Sequence, residues 1–196
     1  MSVAPLDLDD IREALALPHR PIHRVPSGWR RAAVLLPLHP TPHGWHLIFT
    51  RRTEDVPTHK GQISFPGGRV EPADPDLATT ALRETHEELG VPPHQVQLIG
   101  RLDDVQTRVS RYVVSPFVGL LPSDPPLQPN PAEIADVFSV PLADLLDPAI
   151  HHVEWWEYAG RPVPLHFYTW RGTTIWGLTG AILADFLRRL QRRIVF

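Results

Sequence analysis

Residues 65 to 90 read FPGGRVEPADPDLATTALRETHEELG, and no other stretch restricts the fold of this chain as tightly. Asp74 offers a helix cap, Pro75 a first helical residue that needs no N–H, and Gly90 the left-handed position after a helix end. The spacing therefore predicts a helix over 75–89. At about 100° per residue, Leu77, Ala78, Ala81, Leu82, Thr85 and Leu89 share an arc of about 140° that must face a core. Glu88 falls within about 20° of Leu77, just inside that arc, with Glu84 and Glu87 on its flank.

Three carboxylates spaced i, i+3, i+4 repel one another, and burial adds a desolvation cost unless protons or a cation neutralise them. They also stand at the carbonyl end of the helix, where negative charge is disfavoured, and Arg83 is spaced to pair only with Glu87. A divalent cation held by Glu84, Glu87 and Glu88 resolves the conflict; a solvated acidic face is the competing reading. All-oxygen ligation suits Mg²⁺ or Mn²⁺, ions that keep waters and commonly bind substrate phosphates. Gly67 and Gly68 let the backbone approach closely, so that a carbonyl such as that of Gly68 adds a ligand or an N–H holds a phosphate. No G-K-[ST] follows, so this is not a P-loop.

The surrounding chain reads as alternating strands and helices. Residues 7–16 form a short helix, acidic in its first turn. RRAAVLLPLHP and GWHLIFTRR form a strand pair across a Pro/Gly/His turn, GQISFPGG is a short extended piece, and 96–104 and 111–121 return to strand character. PSDPPLQPNPAE is a surface loop inside one domain, IADVFSVPLADLL a strand with a short helix, and HHVEWWEYAGRPVPLHFYTWRG a hairpin turning near Gly160. A terminal helix over 180–194 carries Ile182, Leu183, Phe186, Leu187, Leu190 and Ile194 on one face. Arg188, Arg189, Arg192 and Arg193 lie off that face, where they complement the helix dipole. The fold class is α/β, one domain over 1–196 with an N-terminal helix and extension in 1–30 and the terminal helix packed on the body.

With 196 residues the chain can bury one substantial core, and 23 prolines imply many loops and short strands. A net charge of -3 without a long basic run argues against a nucleic-acid surface and for a small-molecule substrate. There is no cysteine, hence no disulfide or thiolate chemistry, which fits a cytoplasmic location. The start lacks the pattern of a secretory signal, and the apolar runs fall short of the roughly 20 residues a membrane helix needs, so a soluble protein is expected. Eleven histidines are irregularly spaced without H-E-x-x-H, which disfavours a zinc site.

GRVEPADPDLATTALRETHEELG resembles the Nudix box, the loop-helix signature ending in R-E-U-x-E-E-x-G-U, here Arg83 to Val91. The resemblance implies an α/β/α sandwich with a mixed sheet between helices. Gly68 and Arg83 have 14 residues between them, one more than the general pattern, Asp74 stands where a glutamate is expected, and Thr85 is less apolar than usual. LIFTRRTEDVPTHKGQISFPGG is similar to the second signature of the coenzyme A pyrophosphatase branch. Thr50, Arg52, Gly61, Phe65, Pro66, Gly67 and Gly68 keep its spacing, Thr53 replaces a Ser/Ala, and Pro57 replaces an arginine. That branch carries the same extra loop residue, and NPAEIADVFSVPL and IWGLTGAIL resemble it as well.

The resemblance implies metal-dependent hydrolysis of the pyrophosphate bond of coenzyme A, giving 4′-phosphopantetheine and adenosine 3′,5′-bisphosphate. Glu84, Glu87 and Glu88 are the expected metal ligands, and Arg83 is expected to grip a glutamate through a bidentate salt bridge. Glu133, downstream of the proline-rich loop, is the favoured general base, with a box glutamate as the other candidate. Arg52, Lys60 and Arg69 are candidates for the 3′-phosphate. Another dinucleotide (NADH, ADP-ribose or a diadenosine polyphosphate) is an alternative substrate, because the box does not read the leaving group. A non-catalytic nucleotide-binding module is disfavoured because both Glu87 and Glu88 are present.

Overall fold

The computed structural model describes residues 6–54, 61–107 and 110–194. Its central strand, β1 (Arg30–Thr41), buries both faces: Ala33 and Leu35 point to one side, Ala32, Leu36 and Leu38 to the other. Alternation of this kind requires a layer on each side of the sheet. Helix α2 (Leu77–Leu89) covers the first face through Ala81, with Leu77 and Ala78 packed beside it. Helices α1 (Leu8–Leu15) and α4 (Gly177–Ile194) cover the second through Ile11, Leu15, Leu183, Phe186 and Leu190.

The sheet is mixed, as the expected sandwich requires. β2 (Gly44–Arg52) runs antiparallel to the last part of β1, and β4 (Gly67–Arg69) antiparallel to its beginning. β7 (Tyr112–Leu120) lies parallel to β1, with β5 (Gln97–Arg101) and β6 (Val105–Thr107) antiparallel on its far side. β3 (Ile63–Ser64) and β8 (Ile134–Pro141) both pair with β2, and the short α3 (Leu142–Leu145) follows β8. A second, three-stranded sheet comprises β9 (His151–Tyr158), β10 (Arg161–Trp170) and β11 (Thr173–Ile175), with the expected turn at Ala159 and Gly160, both left-handed.

Two expectations about helices are corrected. Asp74 does not cap α2. Asp76 does: its Oδ1 accepts from the Thr79 N–H at 2.7 Å, the helix starts at Leu77, and Pro75 lies outside it. A cap of this kind contributes about 1 kcal/mol. Gly90 does close the helix, at φ +72°, and a side chain there would meet Gln128. The proline-rich loop then satisfies the helix's last carbonyls, with Gln128 N–H donating to Leu89 O and Asn130 N–H to Glu88 O.

Arg189 is the second correction. It is buried, not off the apolar face of α4, and its guanidinium donates to Asp103, Asp185 and the carbonyl of Leu17. Arg188 pairs with Asp185, and Arg193 reaches Glu13 of α1 at 2.7 Å, so these two arginines of α4 are also matched by acids of the same chain. The side chain of Ile194 lies outside the described residues. Among the described residues no helix is long and apolar enough to cross a membrane.

Candidate active site

The expected carboxylates meet where the last turns of α2 face the glycine strand β4 and the end of β2. Strand alternation puts Arg52 on the same side of β2 as Ile48, which packs near Leu89, and so aims its guanidinium at α2. There Arg52 Nη1 lies 3.5 Å from Glu88 Oε1, and Nη2 lies 4.0 Å from Glu133 Oε2. Arg52, named above as a 3′-phosphate candidate, therefore bridges a carboxylate of α2 and the carboxylate beyond the proline-rich loop. Glu133 is held by the turn entering β8: its N–H donates to Asn130 O and its carbonyl accepts from Thr53 N–H.

Glu88 is only 3% exposed, as its position in the apolar arc implies. Burial pushes its carboxyl up to about 8; Arg52 opposes the shift, while the charges of Glu84 and Glu133 add to it. Its Oε2 is buried with no hydrogen-bond partner among the described residues. Glu84 is also displaced upward, first by burial, and the nearby Arg83 offsets part of that. Glu87 stands at the rim, with its side chain about half exposed.

Arg83 acts differently from the expectation. Its fork grips Asp74, not a glutamate: Nε donates to Oδ1 and Nη2 to Oδ2, each at 3.0 Å. Nη1 meets Glu84 and Glu87 at 3.0 Å each, and Nη2 also donates to the carbonyl of Arg69. Pairing of Arg83 with Glu87 alone, expected from helical spacing, is thus corrected, because Asp74 and β4 come within reach only in the folded loop. Asp74 further accepts from Glu71 N–H and Thr80 Oγ1, and with Arg83 these donors hold its carboxyl well below the usual carboxylate range. One guanidinium therefore ties the loop, the glycine strand and the acidic helix together. Asp74 and the buried Thr80 were missed as site residues; the acidic pair Asp74 and Asp76 ahead of the helix was the available signal.

The glycines fit a close approach. Gly67 has φ +154°, and a side chain there would strike Ala33 and Val34 of β1. A Cβ on Gly68 would stand 2.5 Å from the Glu84 carboxylate, so the β4 backbone and that carboxylate share a space that only glycine leaves open. Arg69 is exposed, 3.9 Å from Glu71, and Lys60 lies outside the described residues, as does Pro57.

Among the described residues no three carboxylates or imidazoles stand close enough together to hold a metal ion as placed. Glu84 and Glu87 instead turn to Arg83, and Glu88 to Arg52, the pairing that carboxylates adopt when guanidinium groups are their nearest cations. The donor chemistry nonetheless fits a hard divalent ion: carboxylate oxygens, one of them an unpartnered buried oxygen on Glu88, and a bare glycine backbone opposite Glu84. Gly68→Ala is expected to lower metal-dependent turnover about 100-fold by displacing Glu84, with a folded circular dichroism spectrum retained. Steady-state kinetics checks this.

A family model described as the NUDIX domain matches residues 29–158. The chain is 38% identical over 180 residues to the uncharacterized Nudix hydrolase NudL of Photorhabdus laumondii subsp. laumondii, covering 92% of this chain and 95% of that protein. It is 34% identical over 197 residues to the protein of the same name from Shigella flexneri serotype 5b, covering 94% and 95%. Among solved structures, a C. elegans Ap4A hydrolase binary complex superposes with a TM-score of 0.54 at 18% identity, over 83% of this chain and 98% of that one. At that identity the likeness concerns the fold.

Proposed function

The chain belongs to the Nudix hydrolase family, an enzyme class acting on pyrophosphates, and from that premise we propose that it hydrolyses coenzyme A or a coenzyme A derivative. The products are 4′-phosphopantetheine, or its acyl form, and adenosine 3′,5′-bisphosphate, formed in the cytoplasm. The observation that carries the reading is Arg52, a residue of the upstream signature, lying against Glu88 of the box and Glu133 beyond the loop. It makes the two signatures parts of one site.

Glu84, Glu87, Glu88 and the Gly68 carbonyl would hold Mg²⁺ or Mn²⁺, which supplies charge neutralisation for the pyrophosphate and lowers the pKa of a bound water. Arg83 keeps Glu84 and Glu87 within one guanidinium's reach and, through Asp74, keeps the loop registered on the helix. Glu133, with a side chain 45% exposed and near Arg52, is the proposed base that would take a proton from the attacking water. The water oxygen bonds to phosphorus as the bridging P–O bond breaks, and the departing phosphate carries the electron pair. Arg52, Lys60 and Arg69 remain the cations proposed for the 3′-phosphate, with Arg52 exchanging a carboxylate for it.

Incubation with Mg²⁺ or Mn²⁺ and a panel of coenzyme A, acetyl-coenzyme A, NADH, ADP-ribose and diadenosine polyphosphates tests the substrate. The highest kcat/KM is expected for a coenzyme A form. Preference for another dinucleotide rejects that assignment, and tight binding without turnover would make the protein a nucleotide-binding module.

A further inference from the structure

Among the described residues, His152 to Glu157 of β9 and Arg161, Pro162 and Pro164 of β10 are exposed. The inner end of this β9–β10 ribbon is anchored: His151 stacks on Tyr168 at 4.4 Å between ring centroids and shares a 3.0 Å hydrogen bond with His166. Farther out, Val153, Trp155 and Trp156 are 39%, 68% and 52% exposed. Successive residues alternate between faces, so Trp155 and Trp156 leave apolar surface on opposite sides. A two-stranded ribbon is marginal in water by itself.

Its two long edges are treated differently by the sequence. β11 covers β10 only at Tyr168, Thr169 and Trp170, which leaves the outer part of β10 open on that side. There β10 carries Pro162 and Pro164, and a proline in a paired strand must turn its missing N–H away from the partner, so this edge is poor in donors. β9 has no such protection. Among the described residues it pairs with β10 alone, in unbroken register from His151 to Tyr158, and its sequence HHVEWWEY contains no proline, no lysine and no bulge.

We propose that the β9 edge pairs antiparallel with the β9 edge of a second copy of this chain, giving a two-fold dimer with a continuous six-stranded sheet. A row of backbone donors and acceptors fits another strand, and the strand is complementary to itself. A two-fold axis normal to the sheet sets one residue against its own copy at the centre. Centred on Glu154, the pairing would oppose two carboxylates; centred on Trp155, it opposes two indoles and sets Glu154 against Trp156 of the second copy. Pairing at this edge sets each Trp155 indole beside its own copy and Trp156 beside Glu154 of the second copy, so part of the exposed tryptophan surface is covered by cross-strand neighbours.

Sedimentation velocity from about 1 to 100 µM is expected to give twice the chain mass for the wild type and the single-chain mass for Trp155→Lys, with hydrolysis retained. The chain has no cysteine, so a single introduced one reports geometry cleanly. Under mild oxidation Trp155→Cys is expected to form a disulfide-linked dimer, because opposed Cα atoms lie within disulfide reach. His152→Cys is expected to remain unlinked, being about 20 Å from its own copy in that register. A wild-type monomer throughout the range, a dimer that survives Trp155→Lys, or linkage through 152 instead of 155 overturns the proposal.

Discussion

Glu88→Gln is expected to lower kcat for metal-dependent pyrophosphate hydrolysis about 10³-fold, the scale of several kcal/mol of lost charge stabilisation. The substitution keeps the shape of the side chain and removes only the charge. Its effect on stability should run the other way. In the metal-free fold the Glu88 carboxyl is pushed up to about 8 from a reference of 4.5, mainly by burial. Between those values the folded chain holds a proton that the unfolded chain has released, so Glu88 makes wild-type stability fall as pH rises from about 4.5 to about 8. Below that window the folded and unfolded carboxyls are both protonated and the penalty is absent; above it the penalty is complete. Glu88→Gln removes the term, so in a chelator at pH 8 the variant should be more stable than the wild type, by on the order of a few kcal/mol. Urea melts at pH 5 and pH 8 check this, and added Mg²⁺ should stabilise the wild type and not the variant at the higher pH.

Arg83→Met should be the most destabilising change in the site, costing about 3–5 kcal/mol. The Asp74 side chain is 3% exposed and its carboxylate depends on the guanidinium fork, so the variant leaves a buried charge without its partner. The loop from β4 to α2 also loses its tie to the Arg69 carbonyl, and Glu84 and Glu87 lose their shared donor. Because Asp74 is held charged by this pair, the stability it contributes is present above its unfolded pKa and is lost as pH falls below that value. The gap between wild type and Arg83→Met should therefore narrow in acid. Arg83→Lys should recover little, since an ammonium cannot span both oxygens of Asp74 and reach the glutamates. Denaturant melts of the three proteins at neutral and acidic pH provide the comparison.

Periodicity made the main elements of this fold readable. RRAAVLLPLHP read as a strand, and the helical wheel set Glu88 just inside the apolar arc of a helix that does bury it. What failed depended on contacts between distant residues. Two aspartates precede α2, and either satisfies a capping rule; Asp76 takes the cap because Asp74 is drawn into the network of Arg83 and Thr80, which exists only when the loop has closed. Arg52 and Glu88 are 36 residues apart, so local spacing could not reveal their pairing. Arg189 carries the same lesson: its charge suggests a surface residue, but Asp103 and Asp185 provide a buried anchorage. The site residues nearest the helix were legible, whereas the partners that orient them were not.

In the proposed mechanism the carboxylates of α2 hold the catalytic cation against the glycine strand. Anomalous scattering from Mn²⁺ in crystals of the wild-type protein tests it most directly. A peak bonded to Glu88 and Glu84 beside the Gly68 carbonyl is expected, with Glu84 turned away from Arg83, and no such peak in Glu88→Gln. A peak on the histidines of β9 and β10, or one at the α2 site that persists unchanged in Glu88→Gln, would contradict it.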